Sequence, residues 1–150
     1  MHFEKIAPSF FGISMAPEEC RKEYGYALLA IAGSDGDVSD PELEWLTIDC
    51  AEQVGIPEEI IADWEEFDYE SADLEEIFGS FNTKSFASFN KLIIYDAIRM
   101  CSADGDYADD ERDLVHRAAQ MLKVGMDTVI AIEALVDMEG AADKLRMTIL

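Results

Sequence analysis

The chain has 150 residues, 49% of them hydrophobic and 29% charged, and carries a formal net charge of −22. Length and apolar content fit one domain that buries about two thirds of the surface its unfolded chain would expose, and they exclude a disordered acidic tail. The charge argues against nucleic acid, because a phosphate backbone would be repelled and the few Lys and Arg form no basic stripe, and it makes cations and basic proteins the natural partners.

The N-terminal stretch MHFEKIAPSFFGI has one lysine and no apolar run of signal-peptide length. No stretch reaches the ~18 apolar residues of a membrane span. Cys20, Cys50 and Cys101 include no CxxC pair and fall within helical patterns, which predicts reduced, mostly buried thiols in a cytoplasmic protein.

Apolar residues recur at three and four throughout and β-branched alternation is absent, so the chain reads as all-α. A first helix is expected from about Pro17 through Tyr24, Leu28 and Ile31, ending near Gly33. A second opens at Ser39 as N-cap, carries Leu43, Leu46, Cys50 and Val54 on one face, and stops at Gly55. A third follows Pro57, and a shorter one begins after Ser71. Thr83 caps the fifth, whose inward face is Phe86, Phe89, Ile93, Ala97 and Met100, and which ends before Asp104. The sixth runs from about Asp109 through Leu114, Ala118 and Met121 to Gly125. The last places Ala131, Leu135, Met138, Ala142 and Leu145 on its inward stripe, with Gly140 as a candidate interruption. About seven helices result.

The two halves resemble each other. YALLAIAGSDGDVSDPE, from Tyr26 to Glu42, lies over YDAIRMCSADGDYADDE, from Tyr95 to Glu111, at a constant offset that matches Tyr, Asp-Gly-Asp and the final Glu. A duplicated helix-corner-helix-helix unit follows, with one repeat at about 17–67, a linker helix at about 68–82 and a second repeat at about 83–140, all in one domain with one core. The aromatic-rich stretch from Trp64 to Phe89 would join the halves.

Each corner is half of an EF-hand calcium loop: the glycine and the later glutamate are present, but the residues at the first ligand positions, Ile31 and Gly33 in the first corner, offer no side-chain oxygen. Two readings are open. In one, Gly33 or Gly36 supplies a left-handed residue and Ser39 with Glu42 forms a capping box, so the corner is purely structural. The second corner has Ala108 in place of Ser39, leaving Asp109 as a substitute cap with a shifted helix start. In the other reading the corners meet, and two carboxylates ~6 Å apart repel by about 3 kcal/mol at an effective dielectric of ~20, which calls for a cation or protons. Asp96, on the helix before the second corner, is either a further ligand, a support or an exposed residue.

At GSDGDVSDPE and SADGDYADDE the sequence resembles the tellurite-resistance TerB-like family, in which a helix ending in Ala-Asp-Gly is followed by a Glu that opens the next helix, twice over. Ser34 stands where that pattern has alanine. The resemblance spans about residues 24–140. It implies a pseudo-duplicated all-α domain with an acidic metal site made by both motifs, working in stress responses. Carried over residue by residue, the metal ligands are Asp35 and Glu42 from the first corner and Asp104 and Glu111 from the second, for a divalent ion among Ca, Mg, Mn and Zn.

Enzyme chemistry finds little support. His2 and His116 are the only histidines, with His116 a surface residue or a ligand, and no phosphate loop, nucleophile elbow or HExxH occurs. Met15, Met100, Met121 and Met138 read as core packing. The expectation is a non-catalytic metal-binding stress-response domain; the alternative is an acidic protein-interaction module with a basic partner and purely structural corners.

Overall fold

The computed structural model describes residues 13, 16, 18–33, 37–79, 89–103, 105, 107 and 109–150. Among these residues every regular element is helical. A 3-10 turn, Glu18–Cys20, leads into α1, Arg21–Ala32. The second helix, α2, runs as three consecutive pieces: Asp40–Glu44, a π segment Trp45–Cys50, and Ala51–Val54. α3 is Glu58–Glu66, and α4 is Leu74–Gly79 after a 3-10 turn at Tyr69–Ser71. α5 (Phe89–Cys101), α6 (Asp109–Met121) and α7 (Met126–Ile149) complete the fold.

α1 is buried nearly all round, which suits a helix whose last eight residues are all apolar or Tyr/Gly. It packs on α5, and these two central helices are flanked by α3 and α4 on the side of α1 and by α7 on the side of α5, with α6 touching both. α1 ends at Ala32 and α5 at Cys101, while α2 begins at Asp40 and α6 at Asp109. Both pairs are separated by the offset that aligns the two corners. Tyr24, Leu28, Ile31, Leu46, Cys50, Ile93, Ala97 and Met100 are buried, as their spacing predicts. Thr83 and Phe86 lie outside the described residues.

α2 starts on the Ser39 cap and stops at Gly55, whose φ of 78° is the left-handed value expected of a helix-ending glycine. Its π segment has no counterpart in the sequence reading. There Thr47 Oγ1 donates to the Leu43 carbonyl (2.9 Å), competing for an acceptor that the α-helical ladder would use.

Several expectations are corrected. α6 ends at Met121, not Gly125: buried Leu122 and Val124 flank Lys123, which itself takes the left-handed conformation at φ 60°, and Gly125 instead opens α7 with an extended backbone. Of the two glycines expected to supply a left-handed residue, Gly33 does not (φ −84°) and Gly36 lies outside the described residues; a Cβ at Gly33 would lie 2.3 Å from the Tyr69 ring, so the position needs glycine for space. On α7 the stripe Ala131, Leu135, Met138, Ala142 and Leu145 faces out, and Val129, Ile132 and Val136 face in. Two glutamates share that inner face. Glu139 accepts from Tyr95 OH (2.8 Å) and Glu133 from Arg112 Nε (3.1 Å), so polar contacts set the rotation of the helix. Met138 is accordingly not a core residue, and Gly140 does not interrupt α7. Met15 lies outside the described residues.

Candidate metal centre

Glu42 and Glu111 are each the third residue of their helix, α2 and α6, and each is only 3% exposed. Burial of two carboxylates is unusual without a compensating partner. Part of the compensation at Glu42 is local. Its Oε1 accepts the Ser39 backbone N–H (2.9 Å), and Ser39 Oγ accepts the Glu42 N–H (3.3 Å), so the capping box is complete. The box uses one oxygen. Glu42 Oε2 is buried and has no hydrogen-bond partner among the described residues.

The second corner brings Glu111 to the same place by a different turn. α5 ends at Cys101, Ser102 and Ala103 continue it by one turn, and Gly105 reverses the chain at φ 86°, donating its N–H to the Ser102 carbonyl (3.0 Å). α6 then carries Asp109, Asp110 and Glu111 in its first turn, and Ala108 lies outside the described residues. A carboxylate oxygen of Glu42, a carboxylate oxygen of Glu111 and Cys101 Sγ all lie within 4.8 Å of one another, and all three residues are buried. Two full charges at that distance repel by at least about 3.5 kcal/mol at an effective dielectric of ~20. A divalent ion between them converts that repulsion into attraction.

Of the four residues singled out in the sequence, Glu42 and Glu111 thus come together across the two corners, while Asp35 and Asp104 lie outside the described residues. The sequence pattern alone makes Cys101 a buried thiol and no more. The signal that could have found it is an asymmetry between the halves: at the repeat offset, Cys101 stands where the first half has Ala32.

Asp96 is a support and not a ligand. It is 1% exposed; Oδ2 accepts from Tyr24 OH and the Ile13 N–H, both at 2.7 Å, and Oδ1 accepts from Arg99 Nη1 at 3.2 Å. Burial pushes its carboxyl up to about 6, against the opposing pull of Arg99, Tyr24 and the Ile13 amide. Arg99 in turn lies over the rings of Trp45 (5.3 Å) and Tyr95 (5.1 Å), tying α2 to α5. His116 is half-buried with Nε2 3.2 Å from Glu133 Oε2, in a contact between α6 and α7. No disulfide forms among the described cysteines, and no helix there is long and apolar enough to cross a membrane.

No protein-family model matches the chain, and no curated protein does. Among solved structures, a tellurite resistance protein from Nostoc punctiforme PCC 73102 matches with a TM-score of 0.75 at 24% identity, over 89% of this chain and 81% of that one. At this identity the likeness speaks for the architecture. The chain has the all-α, TerB-like fold of a tellurite resistance protein, the family its two Asp-Gly corners resemble.

Proposed function

We propose that the chain is a non-catalytic acidic domain that binds a divalent cation between its two Asp-Gly corners and serves in a stress response related to tellurite resistance. The observation that carries the cation is Glu42: its Oε2 is buried without a hydrogen-bond partner among the described residues, and the residue stands in one buried group with Glu111 and Cys101. Leaving such a carboxylate buried costs several kcal/mol unless a counter-charge meets it. Glu42 and Glu111 would hold the ion. Asp35 and Asp104 precede them on the same corners in the sequence and are candidates for further donors.

Calorimetric titration with calcium, magnesium, manganese and zinc tests the reading. A single saturable site is expected for at least one ion, with affinity lowered at least about tenfold in Glu42→Gln and in Glu111→Gln. Glutamine is the informative replacement, since it preserves the reciprocal capping geometry while removing the charge. Absence of a saturable heat with every ion would leave the corners purely structural. The complete Ser39–Glu42 box already supports that second reading for the first corner, and an interaction module that draws a basic partner through the net charge of −22 would then take its place.

A further inference from the structure

The cation reading concerns two carboxylates, but the buried group contains a third donor of different chemistry. Cys101 is the last residue of α5, 0% exposed, and its sulfur lies within 4.8 Å of both glutamate oxygens. Three atoms that close fit on a sphere of at most about 2.8 Å radius, and a contraction of at most about 0.5–0.8 Å brings them to the ~2.3 Å Zn–S and ~2.0–2.2 Å Zn–O lengths of a zinc site. Calcium asks for something else. It takes six to eight oxygens, and magnesium prefers oxygen in near-ideal octahedral geometry, so a thiolate spends one position of a small enclosed group on a donor neither ion favours. Glu42, one of the three, also has a buried Oε2 without a hydrogen-bond partner among the described residues, a second sign that this residue meets a ligand.

We propose that Cys101 is the third protein donor at this site and that its thiolate turns the site toward a borderline cation of the zinc class and away from calcium and magnesium; the inference rests on the corner reading above. Coordination replaces the S–H bond by an S–metal bond, and the proton leaves to solvent. Two carboxylates and a thiolate fill three tetrahedral positions and leave the fourth to water or to a further corner carboxylate. The duplicated corners alone would make a symmetric oxygen site. Ala32, at the matching position of the first half, shows that the sulfur belongs to one half only.

Cobalt(II) titrated into the metal-free chain is the probe, read by its near-ultraviolet thiolate-to-metal charge-transfer band and d–d spectrum, with zinc and calcium affinities measured beside it. The expected result is a saturable band at one equivalent that zinc abolishes by competition, and zinc affinity at least about a hundredfold above calcium. Cys101→Ser should lose the band and at least about tenfold in zinc affinity, with calcium affinity little changed. Cys20→Ser/Cys50→Ser should keep the band, which excludes the other two thiols. Should Cys101→Ser fail to fold by circular dichroism, the wild-type and double-serine spectra still decide. Saturable binding without a thiolate band would overturn the role of Cys101 while leaving the cation reading intact, and no binding of any ion would overturn both.

Discussion

Asp96 shows how a buried charge is held without a metal, and it supplies a pH signature. Both of its oxygens are committed to Tyr24, Ile13 and Arg99, yet burial outweighs them and raises the carboxyl to about 6. A carboxyl raised above its unfolded value binds a proton more tightly in the folded state. Its stabilising contribution is therefore complete below the unfolded value near 4 and is lost as pH rises through about 6. Two units correspond to a contribution of order 3 kcal/mol. Chemical denaturation at pH 4 to 7 should show the stability gap between wild type and Asp96→Asn narrowing as pH rises; a gap independent of pH would refute the assignment. The sequence left this residue undecided because pattern alone cannot tell a buried, satisfied carboxylate from a ligand. The glutamates were easier, since a repeated spacing marks them, whereas Cys101 occurs in one half only and looked like ordinary packing.

At the scale of elements, two helical glycines should respond to alanine with opposite signs. Gly25 lies mid-α1 beneath Trp64, where a Cβ would come 2.1 Å from the indole carbon Cε2. The ring is 1% exposed and its Nε1 donates to the Lys22 carbonyl (3.0 Å), so it has no room to swing aside. Alanine gains up to about 1 kcal/mol of helix propensity, but overpacking costs about 1–3 kcal/mol and the indole hydrogen bond is worth about 1 more. Gly25→Ala should destabilise by about 2 kcal/mol. Gly140 lies in α7 with nothing within 4 Å of an added Cβ, so Gly140→Ala should stabilise by about 0.5–1 kcal/mol. Thermal melts of both variants read the signs directly; a stabilised Gly25→Ala would mean the helix is free to shift off the indole. The helix order and the caps at Ser39 and Gly55 were legible because local chemistry dictates them. The rotation of α7 was not, because its contact face carries Glu133 and Glu139, whose partners Arg112 and Tyr95 are distant in sequence.

The whole molecule carries −22, and that charge must act on stability whether or not an ion binds. Self-repulsion destabilises the compact state, and monovalent salt relieves it by screening over about 8 Å at 0.15 M. The relief is gradual, because no single pair dominates an acidic shell. A cation held by Glu42 and Glu111 behaves differently: its contribution grows as the logarithm of concentration over the dissociation constant, reaching about 2.7 kcal/mol at a hundredfold excess, and it begins at concentrations far too low to screen. The two effects separate in one experiment. In wild type, melting temperature should climb smoothly with sodium chloride and show an additional, low-concentration rise with the divalent ion that calorimetry identifies. In the double variant Glu42→Gln/Glu111→Gln the smooth slope should persist, barely reduced by the loss of two charges, and the divalent rise should vanish. A divalent rise that survives in the double variant would assign it to the acidic surface at large, and the buried corner would lose its claim to the ion.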